Sequence, residues 1–392
     1  MTTTLDLTIL MPCLNEAETL AVCIEKARQG LQRAGVQGEV LIADNGSTDG
    51  SVAIAQQAGA RVVSVKDKGY GSALRGGIEA AQGRWIIMGD ADDSYDFSRI
   101  EGFVQKFREG YELVMGCRLP SGGGTIAPGA MPWKNRWIGN PSLSFVGRLF
   151  FQCPARDFHC GLRGFTRAAY DQMELQTSGM EFASEMVIKA TLKSLKITEV
   201  PITLHPDGRS RPPHLKPWRD GWRHLRFMLL YSPRWLFLYP GLFLMTVGGA
   251  GMVWLWPGPQ SFFAVKLDVH TMLYAAMAVL IGFQAVSFAV ISKVFAISAG
   301  LLPEDAKLNR LFQHVNLEVG LLAGLGLILA GLGGSIHAMM LWKQASFGQL
   351  QPAVTFHSVV PAVLMLVLGC QVILTSFLLS VLGLRRKGSK LK

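Results

Sequence analysis

Four stretches of this chain contain no Asp, Glu, Lys or Arg: Trp235 to Trp256, Thr271 to Ser292, Val319 to Trp342 and Ser358 to Leu384. A membrane-crossing helix needs about 20 apolar residues, and soluble core helices of that length and purity are rare, so each stretch reads as a span. All four fall in the second half of the 392 residues. The chain is therefore expected to fold as a water-soluble portion followed by a membrane portion. Met1 to Asp6 has no basic start followed by an apolar run, so export of the first portion behind a cleaved signal peptide is not expected.

The charge is unevenly placed. The net charge is +10, yet basic and acidic residues nearly balance over residues 1–204. The excess begins at His205 to Arg234, where Arg209, Arg211, Lys216, Arg219, Arg223, Arg226 and Arg234 are set against only Asp207 and Asp220. A protein that binds nucleic acid would spread Lys and Arg over its globular part, so no nucleic-acid partner is expected. Loops rich in Lys and Arg next to spans stay in the cytoplasm. Here these are the approach to the first span, the loop with Lys293, Lys307 and Arg310, and the tail with Arg385, Arg386, Lys387, Lys390 and Lys392; the other loops offer only Lys266 and Lys343. An even number of spans then puts both termini and the globular portion in the cytoplasm, in a multi-pass protein of the inner (plasma) membrane. Cys13, Cys23, Cys117, Cys153, Cys160 and Cys370 show no metal-ligand spacing and read as reduced thiols. Within the spans, His337, Gln284 and Gln371 read as helix-to-helix hydrogen bonds rather than a transport pathway. Gly320, Gly324, Gly326, Gly331, Gly333 and Gly334 read as close helix packing.

In the first portion, short apolar runs at Leu7 to Met11, Val40 to Ala43, Val62 to Val65 and Trp85 to Met88 alternate with helical stretches at Ala17 to Ala34, Ser51 to Ala58 and Ser72 to Ala81. Such alternation implies an α/β fold with a parallel sheet and a ligand site where the carboxyl ends of the strands open out. Polar residues follow three of the strands: Pro12-Cys13-Leu14-Asn15-Glu16, then Asp44-Asn45-Gly46-Ser47-Thr48-Asp49-Gly50, then Asp90-Ala91-Asp92-Asp93. Asp90 and Asp92, one residue apart at a strand end, suit a hard divalent cation that completes its shell with water and substrate phosphates. Alone they would read first as an acidic turn, since Asp93, Ser94 and Asp96 are good turn and cap residues. The two companion loops tip the balance toward a cation. A carboxylate at Asp44 or Asp49 could accept hydrogen bonds from a base or ribose, and a cap of the next helix by Thr48 or Asp49 is the competing reading. Lys68-Gly69-Tyr70-Gly71 before a helix is a modest phosphate-loop signal.

Pro12 to Glu16, Asp44 to Gly50 and Asp90-Ala91-Asp92, in this order and spacing, resemble the nucleotide-sugar domain of family 2 inverting glycosyltransferases over roughly Leu7 to His205. Asp157-Phe158-His159-Cys160-Gly161-Leu162-Arg163, the helix start at Phe182 to Glu185, and Gly208-Arg209-Ser210-Arg211 ahead of a membrane anchor resemble the polyprenyl-phosphate hexose synthases, such as dolichyl-phosphate mannose and glucose synthases. The resemblance implies a GT-A (Rossmann-like) catalytic domain over residues 1–204, a basic loop and interfacial helix over 205–233, and an all-α transmembrane domain of four helices over 234–392. It implies that Asp90 and Asp92 handle Mg2+ or Mn2+, and that Pro12, Asn15, Glu16 and Asp44 line the nucleotide site, to which Asp90 and the Lys68 loop are added. Arg118 and Arg136 match arginines that hold a lipid phosphate, and Arg209 and Arg211 match a loop that closes over the diphosphate. Asp157, Arg163 and Glu185 complete the expected catalytic set with Asp92. Asp157 either orients sugar or acceptor or is a structural turn; Glu185 either contacts sugar hydroxyls or pairs with an arginine. Two positions depart from the family pattern: Asn45 stands where an Asp is common, and Ser94 where a metal-binding Gln is often seen.

An amphipathic segment joins the halves. Pro217 opens a helix on which Trp218, Trp222, Leu225 and Leu229 share a face beside Arg219, Arg223 and Arg226. That pattern describes a helix lying on a membrane or one packed on the protein. The expected reaction is transfer of a hexose from a nucleotide sugar, UDP-glucose by resemblance, to a polyprenyl phosphate; homo-oligomerisation is left open. A processive polysaccharide synthase is the nearest rival, but the Gln-x-x-Arg-Trp motif usual there is absent, and Gln82-Gly83-Arg84-Trp85 has the wrong spacing. A transporter or lipid flippase with a nucleotide-sugar-binding domain is opposed by the nearly charge-free spans. A non-catalytic nucleotide-binding scaffold is opposed by the presence of Asp90, Asp92 and Asp157.

Overall fold

The computed structural model describes residues 5–210, 217–263, 265–298, 302, 305–314, 316–349 and 352–388. The chain divides into two units, Met1–Met228 and Leu229–Lys392.

In the first unit the order is β1 (Leu7–Cys13), α1 (Leu20–Ala34), β2 (Gly38–Asp44), α2 (Ser51–Gln57), β3 (Arg61–Ser64), α3 (Tyr70–Ala80), β4 (Trp85–Met88), α4 (Glu101–Arg108), β5 (Leu113–Cys117), β6 (Thr125–Ile126), α5 (Asn140–Phe151), β7 (Arg163–Thr166), α6 (Arg167–Met173), α7 (Phe182–Leu192), β8 (Ile197–Pro201), β9 (Thr203–Leu204) and α8 (Pro217–Leu230). The central strands are apolar along their length because helices cover both faces of the sheet. On α1 the buried residues Leu20, Cys23, Ile24, Ala27 and Leu31 recur at helical spacing, and the helix stops at Gly35 in the left-handed conformation.

Seven strands form one sheet in the order β3-β2-β1-β4-β7-β5-β8. The first four are parallel, as expected, but β7 runs antiparallel to both β4 and β5, so the sheet is mixed rather than parallel throughout. No apolar run marks β7, whose sequence is Arg163-Gly164-Phe165-Thr166. Gly164 makes the insertion feasible: a Cβ there would lie 2.7 Å from the Phe107 ring and 3.0 Å from Ile87. A second short pairing of β6 with β9, and a bridge from Tyr95 to Leu204, return the chain to the loop after β4. His205 N then donates to Ser94 O and Gly208 N to Asp92 O, laying residues 205–210 along the acidic edge of the sheet.

In the second unit α9 (Tyr239–Leu255) is followed by β10 (Gln260–Phe262) and β11 (Val265–Leu267), then α10 (Val269–Ser298), α11 (Ala306–His314), α12 (Leu317–Gln344) and α13 (Pro352–Gly388). Among the described residues, four helical stretches are long and apolar enough to cross a membrane: Arg234–Leu255, Val269–Ser298, Leu317–Gln344 and Thr355–Gly383. Each overlaps one of the charge-free stretches. Small residues let backbones approach. A Cβ on Gly324 would lie 2.8 Å from Gly369 O, and one on Gly282 would lie 2.6 Å from Gly241 O. Gly320, Gly331 and Gly334 are also packed, whereas Gly326 and Gly333 have open space and do not serve the packing role expected of them.

Candidate active site

Three loops at the carboxyl ends of β1, β2 and β4 are sewn together by side-chain hydrogen bonds. Asn15, in the left-handed region, accepts from Thr48 N through Oδ1 at 2.8 Å, and its own N–H donates to Ser47 Oγ at 2.9 Å. Glu16 N donates to Ser51 Oγ at 2.9 Å. Asp44 closes its own turn by accepting from Gly46 N and Ser47 N at 3.0 and 3.1 Å, while Pro12 lies on β1 opposite Ala43. Asn45 explains one departure from the family pattern. Its amide nitrogen donates to Val65 O and Asp67 O, and its oxygen accepts from Gly69 N; a carboxylate cannot donate and would leave both carbonyls without that partner. Lys68 Nζ donates to Asn45 O at 2.6 Å, which sets the Lys68 loop beside the β2 turn.

After β4, Asp90 Oδ1 accepts from Tyr70 Oη at 3.0 Å. Asp92 Oδ1 accepts from the N–H and hydroxyl of Ser94 at 3.1 and 2.6 Å, so Ser94, the second departure, orients the carboxylate. The other oxygen of Asp92 meets Arg209 Nη2 at 2.7 Å, and Nη1 of the same guanidinium meets Glu16 Oε1 at 3.2 Å. One arginine from the segment after β9 thus joins the loops after β1 and β4. Glu16 and Asp92 are both buried. Their negative charge lifts the Arg209 pKa against the opposing effect of burial. Beside them opens a cleft of about 360 Å³ lined by Asn15, Glu16, Ala17, Glu18, Thr48, Asp49 and Arg209, within the size range of small-ligand pockets.

The edge suits a hard cation by its donor set and by its electrostatics. Burial, then the charge of Asp92, pushes the Asp90 carboxyl up to about 6, with Tyr70 and Arg209 opposing. Two close carboxylates in a poorly solvated place call for a positive charge, and the Arg209 guanidinium supplies one at Asp92. Among the described residues no group of three or more His, Cys, Asp or Glu is poised around a metal. A cation held by Asp90 and Asp92 would therefore take the rest of its shell from water and substrate phosphates.

A second cluster lies around the loop before β7. Arg118 grips Asp157 in a two-pronged pair, Nε to Oδ2 at 2.7 Å and Nη2 to Oδ1 at 2.8 Å, and Arg118 N also donates to Oδ2 at 3.0 Å. Asp157 is fully buried and Arg118 is 7% exposed. Burial would lower the Arg118 pKa, but the Asp157 charge outweighs it and holds the guanidinium firmly protonated. Arg163, expected among the catalytic residues, is also fully buried and donates to Cys160 O and Ala183 O. Glu185 is likewise fully engaged: with 0% exposure, its carboxylate takes the N–H groups of Gln176 and Thr177 and pairs with Lys189 rather than with an arginine. Both side chains brace the loops that carry the site. Arg136 sits in a π-helical turn, its guanidinium 5.4 Å over the Trp137 ring. Arg211 lies outside the described residues.

Three features escaped the sequence reading. Tyr70 reaches across to Asp90. Gly161 leaves room for Tyr95 and for the other oxygen of Asp90: a Cβ there would lie 2.9 Å from Tyr95 Oη and 3.0 Å from Asp90 Oδ2. The third is a greasy face on α5 and the turn before it. Trp133, Trp137, Ile138, Phe145 and Leu149 are exposed, Trp133 by 66% and Phe145 by 64%, beside Lys134, Arg136 and Arg148. The opposite side of α5 packs on the ring of Phe158 at Gly147 and accepts from Phe158 N through Ser144 Oγ. The spacing of Trp133, Trp137, Phe145 and Leu149 at multiples of four was the available signal.

An α/β nucleotide fold with an acidic rim and a bridging arginine, in a chain that also carries four membrane-length helices, defines a membrane-bound glycosyltransferase. The chain belongs to glycosyltransferase family 2: residues 8–173 match the model described as glycosyl transferase family 2, and residues 290–383 that of the glycosyltransferase family 2 C-terminal transmembrane region. The low-salt glycan biosynthesis hexosyltransferase Agl6 of Haloferax volcanii is 36% identical over 96% of this chain and 89% of its own. A dolichyl-phosphate hexose transferase of the same organism is 28% identical over 50% of this chain and 82% of its own. Among solved structures, glucosyl-3-phosphoglycerate synthase from Mycobacterium tuberculosis, in complex with Mn2+, UDP and glucosyl-3-phosphoglycerate, aligns at 20% identity with a TM-score of 0.44, covering 58% of this chain and 78% of that one.

Proposed function

We propose that this enzyme transfers a hexose, with inversion, from a nucleotide sugar to a polyprenyl phosphate at the cytoplasmic face of the inner membrane, with UDP-glucose as the first donor to try. The observation that carries the reading is Arg209, whose guanidinium bridges Glu16 and Asp92 beside the cleft. Acidic groups able to hold a cation, with an arginine among them, form the environment a departing nucleoside diphosphate requires. The relatives named as a hexosyltransferase and as a dolichyl-phosphate hexose transferase support the choice of sugar class and acceptor. The exposed aromatic face of α5, with its basic flank, suits an acceptor that arrives in a lipid surface.

An oxygen of the polyprenyl phosphate attacks the anomeric carbon on the side opposite the diphosphate; the bond from that carbon to the diphosphate oxygen breaks, and nucleoside diphosphate leaves. A phosphate monoester is already largely ionised at neutral pH, its second pKa being about 6, so no side chain must remove a proton. Consistent with this, Asp157 is spent on Arg118 and positions it. Arg118 and Arg136 hold the acceptor phosphate, and Asn15, Glu16, Asp44 and Lys68 shape the nucleotide cleft. Arg209, and Arg211 two positions on in the sequence, offset charge building on the diphosphate. Asp90 and Asp92 would hold Mg2+ or Mn2+, which supplies further neutralisation of that charge when bound. The protein's contribution is positioning and electrostatics.

The test is a panel of radiolabelled nucleotide sugars given to the purified full chain with undecaprenyl phosphate and divalent metal. Label entering the organic phase from a hexose donor is the expected result. Label passing only to water or to protein would defeat the acceptor assignment.

A further inference from the structure

The packing of α8 against the rest of the first unit includes a directed polar contact. His224, on α8, places Nδ1 2.8 Å from Ser184 Oγ on α7, and the same hydroxyl lies 3.4 Å from His159 Nε2. The two imidazoles meet edge to face with centroids 4.7 Å apart. Ser184 and His224 are buried. His159 Nδ1 is buried and has no hydrogen-bond partner among the described residues. A proton on that nitrogen would be a stranded donor. The arrangement that strands least puts it on Nε2, so His159 donates to Ser184 Oγ and the Ser184 hydroxyl donates to His224 Nδ1. Burial, then the neighbouring His224, Arg163 and Arg118, hold His159 well below the usual imidazole range, which keeps it neutral as this chain of bonds requires.

The chain ends at the acceptor cluster. His159 is two residues beyond Asp157, and each residue of that segment has a partner elsewhere in the fold. Asp157 holds Arg118. The Phe158 ring lies against Gly147 of α5 and 5.2 Å from the His159 ring, and Arg163 grips Cys160 O. An apolar contact would let α8 rotate past α7 by swapping rotamers, whereas a relay of directed hydrogen bonds admits one register. Trp222, 58% exposed, and Leu230 lie on the outer side of the same helix.

We propose that His159, Ser184 and His224 are positioning residues for the acceptor half of the site: they key α8 to the Asp157–Arg118 pair, so that the seating of this helix on a lipid surface sets where the acceptor phosphate is held. The inference rests on the reading of Arg118 as a phosphate-holding residue and of α8 as interfacial.

The experiment uses the full chain in lipid nanodiscs with Mn2+, UDP-glucose and undecaprenyl phosphate. It compares His224→Leu, His224→Asn, Ser184→Ala and Arg118→Lys with the parent enzyme. The expected result is an acceptor KM raised about tenfold in His224→Leu and Ser184→Ala, the effect of losing one buried hydrogen bond, while the UDP-glucose KM stays unchanged. His224→Asn, whose amide oxygen takes the place of Nδ1 as acceptor, returns the acceptor KM toward that of the parent. Donor and acceptor KM rising together, or an Asn variant no better than Leu, overturns the proposal in favour of a general packing role. An acceptor KM raised by Arg118→Lys but not by Ser184→Ala or His224→Leu overturns it alone. An acceptor KM untouched by Arg118→Lys removes the acceptor reading itself, and this proposal with it. Ser184→Ala removes a single oxygen, so the comparison survives if His224→Leu does not fold.

Discussion

Replacing Asp157 by Asn puts a number on the buried Arg118–Asp157 pair. Three donors end on this carboxylate, the Arg118 Nε, Nη2 and main-chain N, at 2.7, 2.8 and 3.0 Å. An amide keeps one acceptor oxygen and turns an NH2 toward a donor, so at least one of the three bonds becomes a clash between donors. Arg118, 7% exposed, is left without its counter-charge. Removing one partner of a buried ion pair costs about 3–5 kcal/mol. At about 2–4 °C per kcal/mol for a domain of this size, the melting point of the first unit falls by about 6–20 °C. Five buried cysteines, Cys13, Cys23, Cys117, Cys153 and Cys160, all lie in that unit. A thiol-reactive dye on a Cys370→Ser background therefore follows its unfolding within the intact chain. Arg118→Met combined with Asp157→Leu removes both charges and is expected to recover most of the loss. A single Asn variant that melts within 2 °C of the parent would show that the pair does not bear on stability as its burial demands.

The Asp90 carboxyl, lifted to about 6 first by burial and then by Asp92, must give up its proton before a cation binds. Mn2+ affinity of the nucleotide-free protein, read by paramagnetic resonance, should be level at neutral pH and fall about tenfold per pH unit below about 6. Because the folded value exceeds the ordinary 3.8, this group's contribution to the stability of the metal-free protein is fully present below that value and is lost as pH rises through about 6. Gly161→Ala forces a Cβ to within 2.9 Å of Tyr95 Oη and 3.0 Å of Asp90 Oδ2. It should lower Mn2+ affinity and cost about 1–3 kcal/mol of stability; unchanged Mn2+ binding would show that Asp90 has slack. Trp137→Glu with Phe145→Glu should leave UDP binding by calorimetry intact while lowering transfer to vesicle-borne undecaprenyl phosphate by about tenfold or more. Equal loss of both would indicate damage to the fold.

Elements with a local signature were readable before the structure. Strands β1 to β4 are apolar runs flanked by periodic helices, and the four membrane-length helices are charge-free stretches, so both announced themselves. The acidic loops were readable too, because strand ends carry their ligand residues in short segments. Contacts between distant residues left no such trace. Tyr70 meets Asp90 across 20 positions, Ser184 meets His224 across 40, and Arg209 meets Asp92 across 117. Strand β7 was hidden because a buried arginine satisfied by two carbonyls and a glycine that admits Phe107 do not resemble a strand. Glu185 was open between a sugar contact and an arginine partner because a carboxylate at a helix start looks available to either; only its partners, Gln176, Thr177 and Lys189, reveal that it is spent.

The stereochemistry of the product tests the central claim most directly. With an α-linked nucleotide sugar as donor, nuclear magnetic resonance of the isolated lipid product should show a β-linked hexose phosphate, the outcome of one displacement at the anomeric carbon, and Asp92→Asn should yield none. An α-linked product, or full turnover by Asp92→Asn, would contradict the account.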